Sequence, residues 1–147
     1  PVEGMDGSAS DEQIAVLLEK YGISKGTLQL WGTGAPMREF LWSEEMADAT
    51  VFVMEKVNFE DVIQDKNEIR NCHINIGTGK EISIRELSEL VAKTVGFEGS
   101  IHFDSTKPDG TMRKLIDVSK LNALGWKHQI EIEEGVKKLF EWYVAGK

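Results

Sequence analysis

The residues of this chain that could do chemistry fall into a few groups. Two Gly-Thr-Gly triplets, at residues 32–34 and 77–79, offer backbone N–H groups of the kind that cradle phosphate. Neither extends to the dinucleotide pattern, which needs a third glycine three residues on at the opening of a helix. Lys80 follows the second triplet, but Glu81 stands where a P-loop carries Ser or Thr, and Ile74 where it carries its first glycine. A tight turn after a strand accounts for both triplets.

Tyr21 and Lys25, and again Tyr143 and Lys147, are four residues apart. On a helix that spacing lets a lysine lower the pKa of a phenol for proton transfer. Gly22 breaks the first pair and Gly146 the second, so both read as coincidences of spacing. His73, His102 and His128 show no metal-ligand spacing. His73 and Cys72 are neighbours that a strand would point to opposite faces. Each histidine reads as structural or surface, and no metal is expected. Glu44, Glu45, Glu133 and Glu134 sit near helix starts, where the helix dipole favours acids.

Two stretches keep a chemical reading. Between Trp31 and Arg38, an arginine offers a planar fork of donors suited to phosphate oxygens, and a tryptophan offers an apolar wall for a sugar or base. The alternative is that Arg38 pairs with an acid while Trp31 packs in the core. The second stretch, Lys107-Pro-Asp-Gly-Thr-Met-Arg-Lys114, holds a strong turn signal and three cations. Asp109 could accept from hydroxyls or a base edge, and Lys114 could sit against a phosphate. A solvated turn is the alternative, and both remain open on local chemistry.

The elements that must position these residues are legible in part. The chain has 147 residues, a one-domain length, with 41% hydrophobic residues and a formal charge of −8. The acidic balance argues against a nucleic-acid partner, but a few placed cations could still hold a phosphorylated small molecule. Cys72 is the only cysteine, so there is no intrachain disulfide. No apolar run reaches the roughly 20 residues of a membrane span, and no secretory signal is visible. A cytoplasmic protein without a membrane partner is expected. The chain opens on Pro1 rather than Met, which suggests a piece of something larger.

Residues 1–9 read as a loop. A capping box of Ser10 and Gln13 starts a helix over 11–21, and residues 27–31 read as a strand. A helix follows from Ser43 to about Lys56, with Met46, Ala49, Val53 and Val57 on its buried face. Residues 58–71 read as an exposed connection and 73–76 as a short strand. After an extended piece at 81–83, Ser83 and Glu86 box a third helix that Gly96 ends. Residues 101–103 read as a strand. Asp117 or Ser119 caps a short helix stopping at Gly125, and Ile132, Val136, Leu139, Phe140 and Tyr143 line a last one. The alternation predicts an α/β or α+β arrangement, with few strands for a full sheet.

In order along the chain, residues 31–41 (Trp-Gly-Thr-Gly-Ala-Pro-Met-Arg-Glu-Phe-Leu), 45–49, 73–79 (His-Ile-Asn-Ile-Gly-Thr-Gly), 84–87, Phe103-Asp104, Lys107-Pro-Asp-Gly-Thr111, Arg113-Lys114 and Leu124-Gly-Trp126 resemble the C-terminal part of the GDP-L-fucose synthases, a family of extended short-chain dehydrogenases/reductases. The resemblance runs from Leu30 to about Tyr143. It implies an NADP-dependent oxidoreductase and epimerase that converts GDP-4-keto-6-deoxy-mannose to GDP-L-fucose. It implies that Trp31, Arg38, Asp109 and Lys114 contact the GDP-sugar, Arg38 and Lys114 at the diphosphate.

The family's cofactor loop and catalytic residues lie upstream of the match, so no catalytic residue is assigned here. The expected organisation is a loop and helix insertion at 1–29 and a substrate-binding domain at 30–147 that includes the last Rossmann helix and strand, without the NADP-binding domain. Such a fragment is expected to be inactive and to bind NADPH poorly. Its helix from Ser43 and its strand at 73–76 would have bare apolar faces, or faces covered by another copy. The alternative is a free-standing nucleotide-sugar-binding or protein-interaction module without catalysis.

Overall fold

The computed structural model describes residues 3–24, 26–63 and 69–146. Lys25 and Lys147, the lysines of the two Tyr-x-x-x-Lys spacings, and residues 64–68 of the charged connection lie outside the described residues. The elements are α1 (Asp11–Glu19), β1 (Ile23–Ser24), β2 (Thr27–Trp31), β3 (Met37–Arg38), α2 (Ser43–Lys56), α3 (Phe59–Val62), β4 (Ile82–Ser83), α4 (Ile84–Val95), β5 (Ser100–Asp104), α5 (Ser119–Leu124) and α6 (Ile132–Ala145). The fold is mixed α/β, as the sequence predicts. Strands β3 and β4 pair as a two-stranded sheet. The chain divides into two compact units, one formed by the chain up to Pro36 with Ser83–Met112, the other by Met37–Ile82 with the chain from Arg113 onward.

In the first unit, β1, β2 and β5 form one sheet. β1 runs antiparallel to β2, and β5 runs parallel to it with Leu28 opposite Ile101 and Leu30 opposite Phe103. Side chains alternate across a strand, so Leu28, Leu30, Ile101 and Phe103 share one face and Gln29, Trp31, His102 and Asp104 the other. Leu28 and Leu30 of the apolar face line a groove with Leu87, Val91 and Val95 of α4. Trp31 consequently stands 73% exposed on the opposite face.

Two capping boxes set the helices of this unit. Ser10 Oγ accepts from the Gln13 N–H and Gln13 Oε1 from the Ser10 N–H, which starts α1. Ser83 and Glu86 make the same exchange at α4, and Gly96 ends α4 in the left-handed conformation. The two N–H groups at the start of α4 that the box leaves over are also satisfied: Ile84 donates to Pro36 O and Arg85 to Gly34 O. The segment after β2 thus caps α4.

The second unit is centred on Ala49, Leu121 and Trp126, all buried, with Leu41, Phe52, Val53, Ile74 and Ile76 around them. Trp126 Nε1 donates to Asp48 Oδ2 at 2.7 Å, which satisfies the indole. Three expectations change here. Residues 73–76 join no ladder among the described residues. Their alternating Ile74 and Ile76 pack on this core, and the Asn75 side chain donates to Asp117 O. Within the exposed connection, Asn58 and Asp61 box the short helix α3, and Val62 is buried. At α2, Ala49 and Val53 face the core as predicted, but Met46 is 43% exposed.

Candidate functional site

In the first unit, the chain leaving β2 turns through residues 32–34 and meets the loop after β5. Asp109 Oδ1 accepts the Thr33 N–H at 2.8 Å, and Oδ2 accepts the Thr33 hydroxyl at 2.7 Å. The Thr33 hydroxyl, then its N–H, hold the Asp109 carboxyl below the usual aspartate range. A Cβ on Gly32 would run into that carboxylate, and Gly32 has φ +81°, so only glycine suits the position. On the other side of the turn, Arg85 donates to Thr33 O at 2.7 Å while its guanidinium lies 4.0 Å from the centroid of Phe103. Lys107 lies 5.6 Å from the centroid of Trp31. Trp31 and Asp109 therefore belong to one loop cluster.

Arg38 and Lys114 belong to the second unit. Arg38 sits on β3, half-buried, and its Nη1 donates to Met37 O at 2.6 Å. Among the described residues no carboxylate is within ion-pair distance of Arg38 or Lys114. Arg113 differs, with Nε 2.7 Å from Glu81 Oε1. Glu39, next to Arg38, organises this unit's loops. Its Oε1 accepts the N–H groups of Thr78 at 2.5 Å and Gly79 at 2.7 Å, and Oε2 accepts the Ile116 N–H at 3.4 Å. The segments carrying Arg38 and Lys114 are thus fastened to each other.

The two Gly-Thr-Gly turns do not present open phosphate cradles. Thr33 donates to Asp109 at the first and Gly32 to Asp104 O, while Thr78 and Gly79 donate to Glu39 at the second. That Asp109 is engaged with Thr33, and that Glu39 and Arg85 matter at all, was not visible in sequence. Their partners lie 76, 40 and 52 residues away. The glycine triplets were the only local sign. Asp109 retains acceptor capacity, since each carboxylate oxygen has a second lone pair. The histidines form no common site, and no group of metal-binding side chains occurs among the described residues. Cys72 is free and exposed.

Comparison with known proteins shows the family of the chain. The family model described as the NAD dependent epimerase/dehydratase family matches residues 3–77. GDP-L-fucose synthase of Escherichia coli (strain K12) is 45% identical over 115 residues, which is 78% of this chain and 35% of that protein. GDP-L-fucose synthase of Sinorhizobium fredii (strain NBRC 101917 / NGR234) is 42% identical over 140 residues, 92% of this chain and 41% of that protein. The crystal structure of a GDP-6-OMe-4-keto-L-xylo-heptose reductase from C. jejuni is 42% identical with a TM-score of 0.88, over 95% of this chain and 40% of that one.

This chain therefore spans roughly a third to two fifths of the length of the relatives it matches. The matches at 92% and 95% reach into residues 1–29, because residues 30–147 are only 118 of the 147.

Proposed function

This chain belongs to the NAD dependent epimerase/dehydratase family, and from that premise we propose that it is the nucleotide-sugar-binding portion of an NADPH-dependent epimerase/reductase acting on a GDP-linked 4-keto sugar. The names of its relatives support the GDP-sugar class, for fucose and heptose products alike. One observation carries the reading to particular residues. In a chain of charge −8, half-buried Arg38 and exposed Lys114 have no carboxylate partner among the described residues, and Glu39 fastens their segments together. Cations left unpaired in an acidic protein are suited to a diphosphate. Trp31 then packs beside the sugar nucleotide, and Asp109 fixes a polar edge with its remaining lone pairs.

NADPH serves the whole protein on this reading, but the residues of this chain do not fit a dinucleotide. Of the amides in its glycine turns, that of Thr33 is given to Asp109, those of Thr78 and Gly79 to Glu39, and that of Gly32 to Asp104 O. The groups that epimerise ring carbons and deliver hydride lie in the portion of the whole protein that this chain does not span. Residues 30–147 are the substrate-binding domain with the last Rossmann elements, and residues 1–29 are an insertion. The chain by itself binds NADPH poorly and does not turn over. The exposed apolar side chains of α2 and α6 face the rest of the whole protein, or a second copy of this chain when that part is missing. Among the described residues no helix is long and apolar enough to cross a membrane.

Calorimetric titration of GDP into the chain tests the proposal. Saturable binding is expected, weakened about tenfold or more by Arg38→Ala, in keeping with the loss of a charged hydrogen-bond partner. Equal binding by both proteins would remove Arg38 from the site, and absence of binding would remove the GDP reading of this chain.

A further inference from the structure

Lys107 is a cation with no role in the reading so far. Its ammonium lies 5.6 Å from the Trp31 ring centroid, and among the described residues it forms no ion pair. Asp104, which feels its charge, is turned elsewhere: Oδ1 accepts the hydroxyl and N–H of Thr106, and Oδ2 accepts from Gln29. Trp31 and Lys107 line one concavity of about 460 Å³ together with Lys20, Tyr21 and Gln29. Lys20 and Tyr21 are committed to Glu3, at 2.9 and 2.8 Å. Among the described residues, the ammonium of Lys107 is thus a cation of this concavity without a protein acceptor, and Glu19 lines the concavity as well.

Its place is set by the Thr33–Asp109 clamp. Thr33 follows Trp31 by two residues, and Asp109 follows Lys107 by two. Fastening the one pair brings the other together. Lys107 also donates its N–H to Asp104 O at 3.1 Å, as Gly32 does at 3.0 Å, so both segments hang from the end of β5.

We propose that Lys107 is a further ligand-binding residue on the Trp31 wall, taking a phosphate oxygen of a nucleoside diphosphate while Trp31 carries an apolar ring face, and that Thr33, through Asp109, positions both. The inference rests on the GDP-sugar reading above. A lysine that only packs on an exposed indole contributes little and is indifferent to the ligand's charge. A lysine that meets phosphate makes binding depend on that charge and on salt.

The test titrates GDP and guanosine into the wild-type chain and into Lys107→Met, Thr33→Val and Thr33→Ser. Lys107→Met is expected to weaken GDP about tenfold, to leave guanosine unchanged, and to flatten the salt dependence of GDP binding. Thr33→Val should weaken both ligands, because losing the hydroxyl bond loosens the hold on Trp31 as well as on Lys107, and Thr33→Ser should recover most of the loss. GDP bound equally by wild type and Lys107→Met overturns the inference and leaves the GDP reading standing. So does an equal loss for GDP and guanosine, which would make Lys107 a packing residue. No GDP binding by the wild-type chain removes the GDP reading and this inference with it.

Discussion

A threonine and an aspartate 76 positions apart do for the first unit what no local motif announces. The Thr33 hydroxyl and N–H stabilise the charged form of Asp109, so its pKa in the folded chain lies below that of the unfolded chain, about 3.9. A depressed carboxyl pKa contributes stability that is complete above the unfolded value and is lost as pH falls through the folded one. Below that pH the carboxyl keeps its proton and the clamp loosens. An NMR titration should therefore show the Thr33 amide and the Asp109 carboxyl carbon changing together, with a midpoint below the ordinary aspartate range. In Thr33→Val, which removes the hydroxyl and keeps the N–H, the carboxyl midpoint should rise toward that range. An ordinary midpoint in the wild type would mean that the clamp does not hold in solution. The site was legible in sequence only as residue types near turns. Arg38, Trp31 and Asp109 could be singled out from their chemistry, whereas Glu39 and the partners these two acids hold could not, because a hydrogen bond across 40 or 76 residues leaves no spacing to read.

Helix ends carry the local signals that were legible. The boxes at Ser10–Gln13 and Ser83–Glu86, the left-handed Gly96 and Gly125, and the alternation over β2 and β5 all act within a few residues. Residues 73–76 alternate equally well, but a ladder needs a partner strand, and Ile74 and Ile76 find a helical core instead. Helix α3 was hidden for the opposite reason, since charges around Asn58 and Asp61 mask a capping box that buries Val62. Helix α4 is the element whose end matters most to the site. None of its residues is fully buried, so packing holds it less firmly and its first turn counts for more. Ser83 Oγ accepts the Glu86 N–H at 3.1 Å, and the next two donors hold Pro36 O and Gly34 O. Ser83→Ala should cost about 1 kcal/mol of stability in urea unfolding, and Ser83→Thr much less. The same substitution should speed amide exchange at Arg85, whose N–H is bonded to the turn after Trp31. An unchanged urea midpoint with Ser83→Ala would show that the contacts to Gly34 and Pro36 suffice to hold the helix start.

At the scale of the whole molecule, charge and exposed apolar surface oppose each other. A net charge of −8 keeps copies apart, while α2 exposes Val51 at 51% and Met54 at 80%, and α6 exposes Leu139 at 56% and Trp142 at 73%. Single exposed apolar residues are ordinary. Pairs three apart on a helix are neighbours on one face, and such a face in a chain proposed to be part of a larger protein is suited to a covering surface. Self-association through these faces is therefore expected to be weak at low salt and to strengthen as salt screens the like charges. Sedimentation equilibrium should show an average mass that rises above 16.5 kDa with protein and salt concentration. Met54→Gln with Trp142→Gln removes apolar area without changing net charge, so a mass held at the monomer value in that variant would assign the association to these faces. Association that persists in the variant would point to another surface. A wild-type chain that stays monomeric in high salt would make these residues the solitary exposed kind, and the proposal that they await a covering surface would fail, because screening removes the one force that could have hidden it.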